Sequence, residues 1–201
     1  MKNVLLFVVC LVFGLSFSQN DEAFVDAQVA QKLAELEMQQ NPEYFVRKSF
    51  CDGNVQLFIM PDGSKCASAS TYFEAYVFWK EGEDILKLQK FDNCGSFLPF
   101  QMVVEKPVRK LLEDRNGLQT EAASSPTEKT TESDPYANMA VSSCHSNYTF
   151  VFEGKGFTRK IAKVAGKEAT KNKASALNRL EAELSEMIKN LEQSGKFFRE
   201  K

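Results

Sequence analysis

The chain has 201 residues, 43% hydrophobic and 26% charged, with a formal net charge of −2 at pH 7. That length supports one domain with a modest core, and the near balance of charge speaks against nucleic acid, which takes a basic surface. His145 is the single histidine, which excludes a zinc site built on several imidazoles.

Lys2, the apolar run from Val4 to Leu15 and the small residues Ser16 and Ser18 read as a secretory signal over 1–18. The run is shorter than the ~20 apolar residues a membrane span needs, and no later stretch approaches that length. The expected product is therefore exported, secreted or periplasmic, with no span after cleavage. Cys10 falls inside the signal. Cys51, Cys66, Cys94 and Cys144 remain, and an even number in an exported chain argues for two disulfides. The expected pairing joins Cys51 to Cys66 across the Pro61 turn, and Cys94 to Cys144 across a long loop.

Asn20 suits a helix cap, with Asp21 and Glu22 in the first turn, where the helix dipole favours negative charge. Val25, Val29, Leu33 and Leu36 then share one face of a helix expected over Asp21–Gln40, ended by Asn41-Pro42. Four strand-like runs follow: Tyr44–Phe50, Val55–Met60, Thr71–Lys80 and Ile85–Phe91. Asp52-Gly53-Asn54, Pro61-Asp62-Gly63-Ser64 and the segment from Glu81 to Asp84 punctuate them as turns. Their spacing predicts an antiparallel meander. A short strand is expected over Leu98–Val104 and a short helix over Pro107–Asp114, closed by Asn116-Gly117. Gln119 to Pro135 has no aromatic or large aliphatic residue, so a disordered loop is expected at about 118–137. Asn147–Phe152 reads as a strong strand, and Phe157–Ile161 as its return. Leu177, Leu180, Leu184, Met187 and Leu191 give the last helix, 172–193, one apolar stripe. It lasts only about two heptads, so it suits core packing better than a coiled-coil seam, which needs three or four.

The chemistry-bearing motifs are few. The chain has no Cys-x-x-Cys, no phosphate-binding glycine loop and no dinucleotide fingerprint, so no metal and no cofactor is expected. Cys144 and His145 are adjacent on a strand and diverge, which argues against a cysteine–histidine dyad. Glu74 interrupts an aromatic strand and is the best single carboxylate. With Tyr76 and Trp79 it forms the expected ligand-binding set, with Tyr72 and Phe78 as neighbours. Asn147-Tyr148-Thr149 matches the N-glycosylation pattern. Charge is unevenly spread: residues 19–154 carry a net −9 and residues 155–201 a net +6. Lys155, Arg159, Lys160 and Lys163 begin the densest basic run and form the expected anion-binding set.

The expected fold is α+β: an antiparallel sheet of about five strands, packed by an N-terminal and a C-terminal amphipathic helix, in one domain over 19–201. The expected function is non-catalytic binding, with another protein or a glycan as partner. Two alternatives stand beside it. One is a secreted hydrolase with a carboxylate-based site, and the other is a module that grips an anionic polymer through its basic C-terminal region.

Overall fold

The computed structural model describes residues 21–40, 43–60, 62–82, 85–103, 106–120, 144–163 and 175–200. The signal segment 1–18, the Asn20 cap, Asn41-Pro42, Pro61, Asp84, Val104, residues 121–137 of the expected loop, and Lys167, Lys171 and Lys173, which continue the basic run begun at Lys155, lie outside them.

Helix α1 (Asp21–Met38) leads into strand β1 (Tyr44–Cys51). β2 (Leu57–Ile59) and β3 (Lys65–Ala67) form a hairpin of their own. β4 (Phe73–Lys80) and β5 (Ile85–Asp92) follow, then the short β6 (Gly95–Ser96) and β7 (Phe100–Val103). Helices α2 (Lys106–Glu113) and α3 (Arg115–Thr120) precede β8 (Cys144–Phe152), β9 (Lys155–Lys163) and helix α4 (Ala176–Gln193). The fold is α+β. Seven strands make one antiparallel sheet in the order β6-β5-β4-β1-β8-β9, and β7 pairs with the same edge of β5 as β6.

The sheet departs from a simple meander at three places. The Val55–Met60 run leaves it, because Asp62 and Gly63 (φ +82°) fold β2 back onto β3. β1 therefore pairs directly with β4 on one side. On its other side it pairs with β8, about a hundred residues away in sequence. The count rises from about five to seven because β6 and β7 share one edge. The helix expected to end at Asn116-Gly117 restarts instead. The Asp114 carboxylate accepts the Gly117 N–H at 3.0 Å and starts α3, so Leu118, Gln119 and Thr120 are helical and Leu118 is fully buried.

The alternation of each strand sends side chains to two cores. On one face Tyr44, Val46, Ala75, Val77, Trp79 and Phe91 meet Val25, Val29 and Leu36 of α1. Asp21 pins the start of that helix by accepting the N–H groups of Ala69 (2.7 Å) and Ser70 (3.0 Å). Burial pushes the Asp21 carboxyl up. Hydrogen bonds from Ser70, the Asn93 side chain, Ala69 and Thr71 outweigh it and hold the group below the usual carboxylate value. Lys48, on the same face, reaches Glu22 (2.9 Å) and Asp26 (2.8 Å).

The other face is built in cross-strand rows. Leu88, Phe78, Phe45, Phe150 and Phe157 are register partners in sequence across β5, β4, β1, β8 and β9. Phe45 stacks on Phe78 at 4.4 Å and on Phe150 at 5.8 Å, and Phe150 on Phe157 at 5.0 Å. Stacked cross-strand pairs of this kind add stability beyond the area they bury. Val108 of α2, Leu118 of α3, and Leu177, Leu180, Leu184 and Ile188 of α4 close over this row.

Two disulfides staple the described residues, in a pairing other than the expected one. Cys51 joins Cys144, and Cys66 joins Cys94. The expectation made Cys51 and Cys66 neighbours by treating β1 and β2 as consecutive strands. Cys51 instead sits opposite Cys144, because β1 pairs with β8. Cys66 sits on the hairpin, which the bridge ties to the turn after β5.

Candidate functional site

Next to the phenylalanine row lies a row that alternates cation and aromatic ring. Lys90, Tyr76, Arg47, Tyr148 and Arg159 are successive register partners from β5 to β9. Helix α4 lays its acids on it. Glu181 is buried; it takes Arg47 through Nε and Nη2, both at 2.9 Å, and accepts the hydroxyls of Tyr148, Ser146 and Ser185. Arg47 burial alone would lower its pKa, but the Glu181 hydrogen bonds and charge raise it further above its ordinary value. Burial first, and the Glu181 charge second, push the Tyr148 phenol well up.

Of the expected ligand-binding set, Glu74 and Tyr76 belong to this seam. The Tyr76 hydroxyl donates to Glu74 (2.9 Å) and to Glu192 of α4 (3.0 Å), and Lys90 bonds Glu192 at 2.5 Å and lies 3.3 Å from Glu74. Ser49 donates to the other oxygen of Glu74 at 3.0 Å. Two carboxylates do converge, as a carboxylate hydrolase requires. Their oxygens, however, are aimed at Tyr76, Ser49 and Lys90, as in an ion-pair cluster that fastens a helix to a sheet. Trp79 is on the opposite face of β4, beneath α1, with the Lys32 ammonium 4.8 Å above its ring. The three residues therefore do not make one site.

The expected anion-binding set is also divided. Arg159 donates to the carbonyls of Leu118 and Gln119 and stacks on Phe157, so it binds α3 to β9. Lys160 alternates to the other face of the strand. Lys155 begins β9 and Lys163 ends it opposite Cys144. Among the described residues, no group of three or more His, Cys, Asp or Glu is placed to hold a metal ion. No described helix is long and apolar enough to cross a membrane.

A cavity of about 350 Å³ opens at the end of the sheet where β1 begins and β4 turns into β5. Phe45, Phe78, Leu86, Leu112 and Phe152 give it an apolar floor. Tyr44 and Trp79 border it at the strand ends, while their side chains pack on the opposite face beneath α1. The mouth is charged: Lys80, Arg109 and Arg115 face Glu43 and Glu113. Arg115, at the start of α3, lies 4.9 Å over the Phe152 ring and bonds Glu43 and Glu153, each at 2.7 Å. Burial lowers its pKa, but those two carboxylates more than reverse the effect. Lys80 lies 3.7 Å from Glu43. No family model, curated protein or solved structure matches the chain.

The sequence reading missed this cavity because its wall comes from α2 and α3, whose docking over Phe45 and Phe78 no local pattern encodes. The one available signal was the amphipathic run Lys106–Glu113, with Leu111 and Leu112 apolar and Arg109 and Lys110 charged.

Proposed function

We propose that this is an exported, non-catalytic binding protein that seats a small, largely apolar ligand in the cavity over Phe45 and Phe78. The cavity itself carries the reading. Ligand pockets are concave, about 300–1,000 Å³, mostly apolar, and edged by a few polar groups. This one has that size and that division between floor and mouth. Two disulfides fit an oxidising compartment, and the residues 1–18 supply the export signal. The polar seam under α4 plays the complementary part. It holds the sheet rigid, so the floor is already formed before a ligand arrives.

Binding is read directly by isothermal titration calorimetry, since the ring of Trp79, the single tryptophan, packs on the opposite face of β4 beneath α1. Titration of the purified protein with a series of alkyl and aryl compounds should give saturable heats of binding. Leu112→Phe, which fills the space, should weaken that binding at least tenfold with little loss of folding stability. A flat response across the series, or a Leu112→Phe variant that binds like the parent, overturns the proposal.

A further inference from the structure

We propose that Arg115 and Lys80 form an anion subsite at the mouth of the cavity, and that Glu43 occupies it as a stand-in for the carboxylate of the ligand. The ligand class is then an amphiphile with an apolar body and a carboxylate head. This inference rests on the binding reading above and specifies its chemistry.

Three observations support it. First, Arg115 is held in place independently of Glu43. Its guanidinium stacks on Phe152 and also bonds Glu153, so release of Glu43 would leave it aimed at the mouth. Second, the Glu43 backbone is held by a bond that does not involve its carboxylate. Its carbonyl accepts the Lys80 N–H at 3.2 Å, and its carboxylate reaches out to Arg115 and Lys80. Third, Lys80 lies 3.7 Å from the Glu43 carboxylate and Arg109 also lines the cavity, so more than one cation borders the place that Glu43 occupies.

Exchange of one carboxylate for another on Arg115 keeps the pairing of a guanidinium fork, a geometry suited to carboxylates. Glu43 moves into water, where its charge is hydrated, and the alkyl or aryl body of the ligand covers Phe45, Phe78 and Leu86. A neutral hydroxyl can accept one uncharged hydrogen bond from Arg115, a poorer match than a carboxylate, and leaves Glu43 where it is. Glu43 is thus an internal competitor, and it lowers apparent affinity by the fraction of molecules in which it holds the subsite.

The test uses octanoate and its neutral counterpart octanol, with calorimetric titration as readout. Octanoate should bind more tightly than octanol. Glu43→Gln should tighten octanoate several-fold, because the competitor loses its charge, and Arg115→Gln should weaken it about tenfold. Arg115→Lys retains the charge and should keep part of the preference. Octanol affinity should stay within about twofold in all three variants, and their thermal unfolding should show that each is folded. Equal affinity for the two compounds, or a Glu43→Gln variant that binds octanoate no better than the parent, overturns the anion subsite and leaves the cavity reading intact. Binding of neither compound removes both.

Discussion

Arg47 and Glu181 meet in a two-pronged ion pair, buried on both sides, that joins the centre of the sheet to the last helix across 134 positions of sequence. The pair does not stand alone. Tyr148, Ser146 and Ser185 complete the coordination of the carboxylate, and Arg47 also donates to Ser49 at 3.3 Å. Removal of one partner from a buried pair strands the other charge, which costs about 3–5 kcal/mol, whereas replacement of both by apolar groups is much milder. Glu181→Leu should therefore lower unfolding stability by about that amount. Arg47→Met combined with Glu181→Leu should be more stable than Glu181→Leu alone, since only hydroxyls are then left unpaired. A double variant that is less stable than the single would show that the seam is not governed by the unpaired charge. Denaturant unfolding of the cycle decides it.

Three phenols on the same face give the fold an alkaline limit. Burial first, and neighbouring carboxylates second, raise Tyr148 (Glu181), Tyr76 (Glu74 and Glu192) and Tyr72 (Asp92). A raised pKa means that the folded protein keeps these protons where the unfolded chain gives them up, at about pH 10. Their contribution is fully present below that pH and falls as pH rises toward the folded values. Stability should decline from about pH 10 upward, and these phenols should ionise only as the protein unfolds. Absorbance of the phenolate band, followed alongside circular dichroism, checks this. Ionisation of all the tyrosines near pH 10 with the fold intact would refute it.

The parts of the fold legible in sequence are those that local chemistry specifies. Val25, Val29 and Leu36 mark the buried stripe of α1, and Leu86 and Leu88 the core side of β5. Gly53 and Gly63 do take the positive φ of turn residues. What stayed hidden depends on which strand lies beside which. Nothing local to Tyr44–Cys51 says that β8 is its partner, and the disulfide pairing follows from that neighbour. The same limit hid the cation–phenol row. Alternation puts Lys90 on the core side with Leu86 and Leu88, where nothing local supplies a partner for an ammonium; Glu192 of α4 supplies it, and Lys90 is buried beside Tyr76. Trp79 and Tyr76 looked like one aromatic cluster. Their odd spacing along β4 puts them on opposite faces.

The disulfide topology predicts a specific map. Digestion without reduction should yield a linked peptide pair containing Cys51 and Cys144, and another containing Cys66 and Cys94. Peptides linked through Cys51 and Cys66 would contradict the β1–β8 pairing. Cys51→Ala with Cys144→Ala opens a constraint of 93 positions. It should cost about 4–5 kcal/mol in the chain-entropy model, against about 3–4 for the other bridge. That other bridge spans 28 positions, and its loss frees mainly the β2–β3 hairpin. Unfolding curves of the two double variants give the order.

The C-terminal segment acts as a clamp, and its anchor is Asp92 at the end of β5. The Asp92 side chain is 1% exposed and receives both arms of the Arg199 fork, at 2.9 and 2.6 Å. Tyr72 donates to it at 3.1 Å, and the Cys94 N–H at 2.8 Å. Arg199 in turn lies 4.3 Å over Phe97, while Leu98 and Glu200 donate backbone hydrogen bonds to Phe198 and Ser96. The last residues thus add a strand-like strip along the β6 edge. Arg199→Ala leaves the carboxylate buried without its cation, and should cost about 3–5 kcal/mol. Adding Asp92→Asn to that variant removes the stranded charge and should recover part of the loss, although Asp92→Asn alone destabilises the parent. Thermal unfolding of the three variants reads this sign reversal. If Asp92→Asn destabilises the Arg199→Ala background as much as it does the parent, the two residues are not coupled and the clamp is held by Phe97 and the backbone bonds alone.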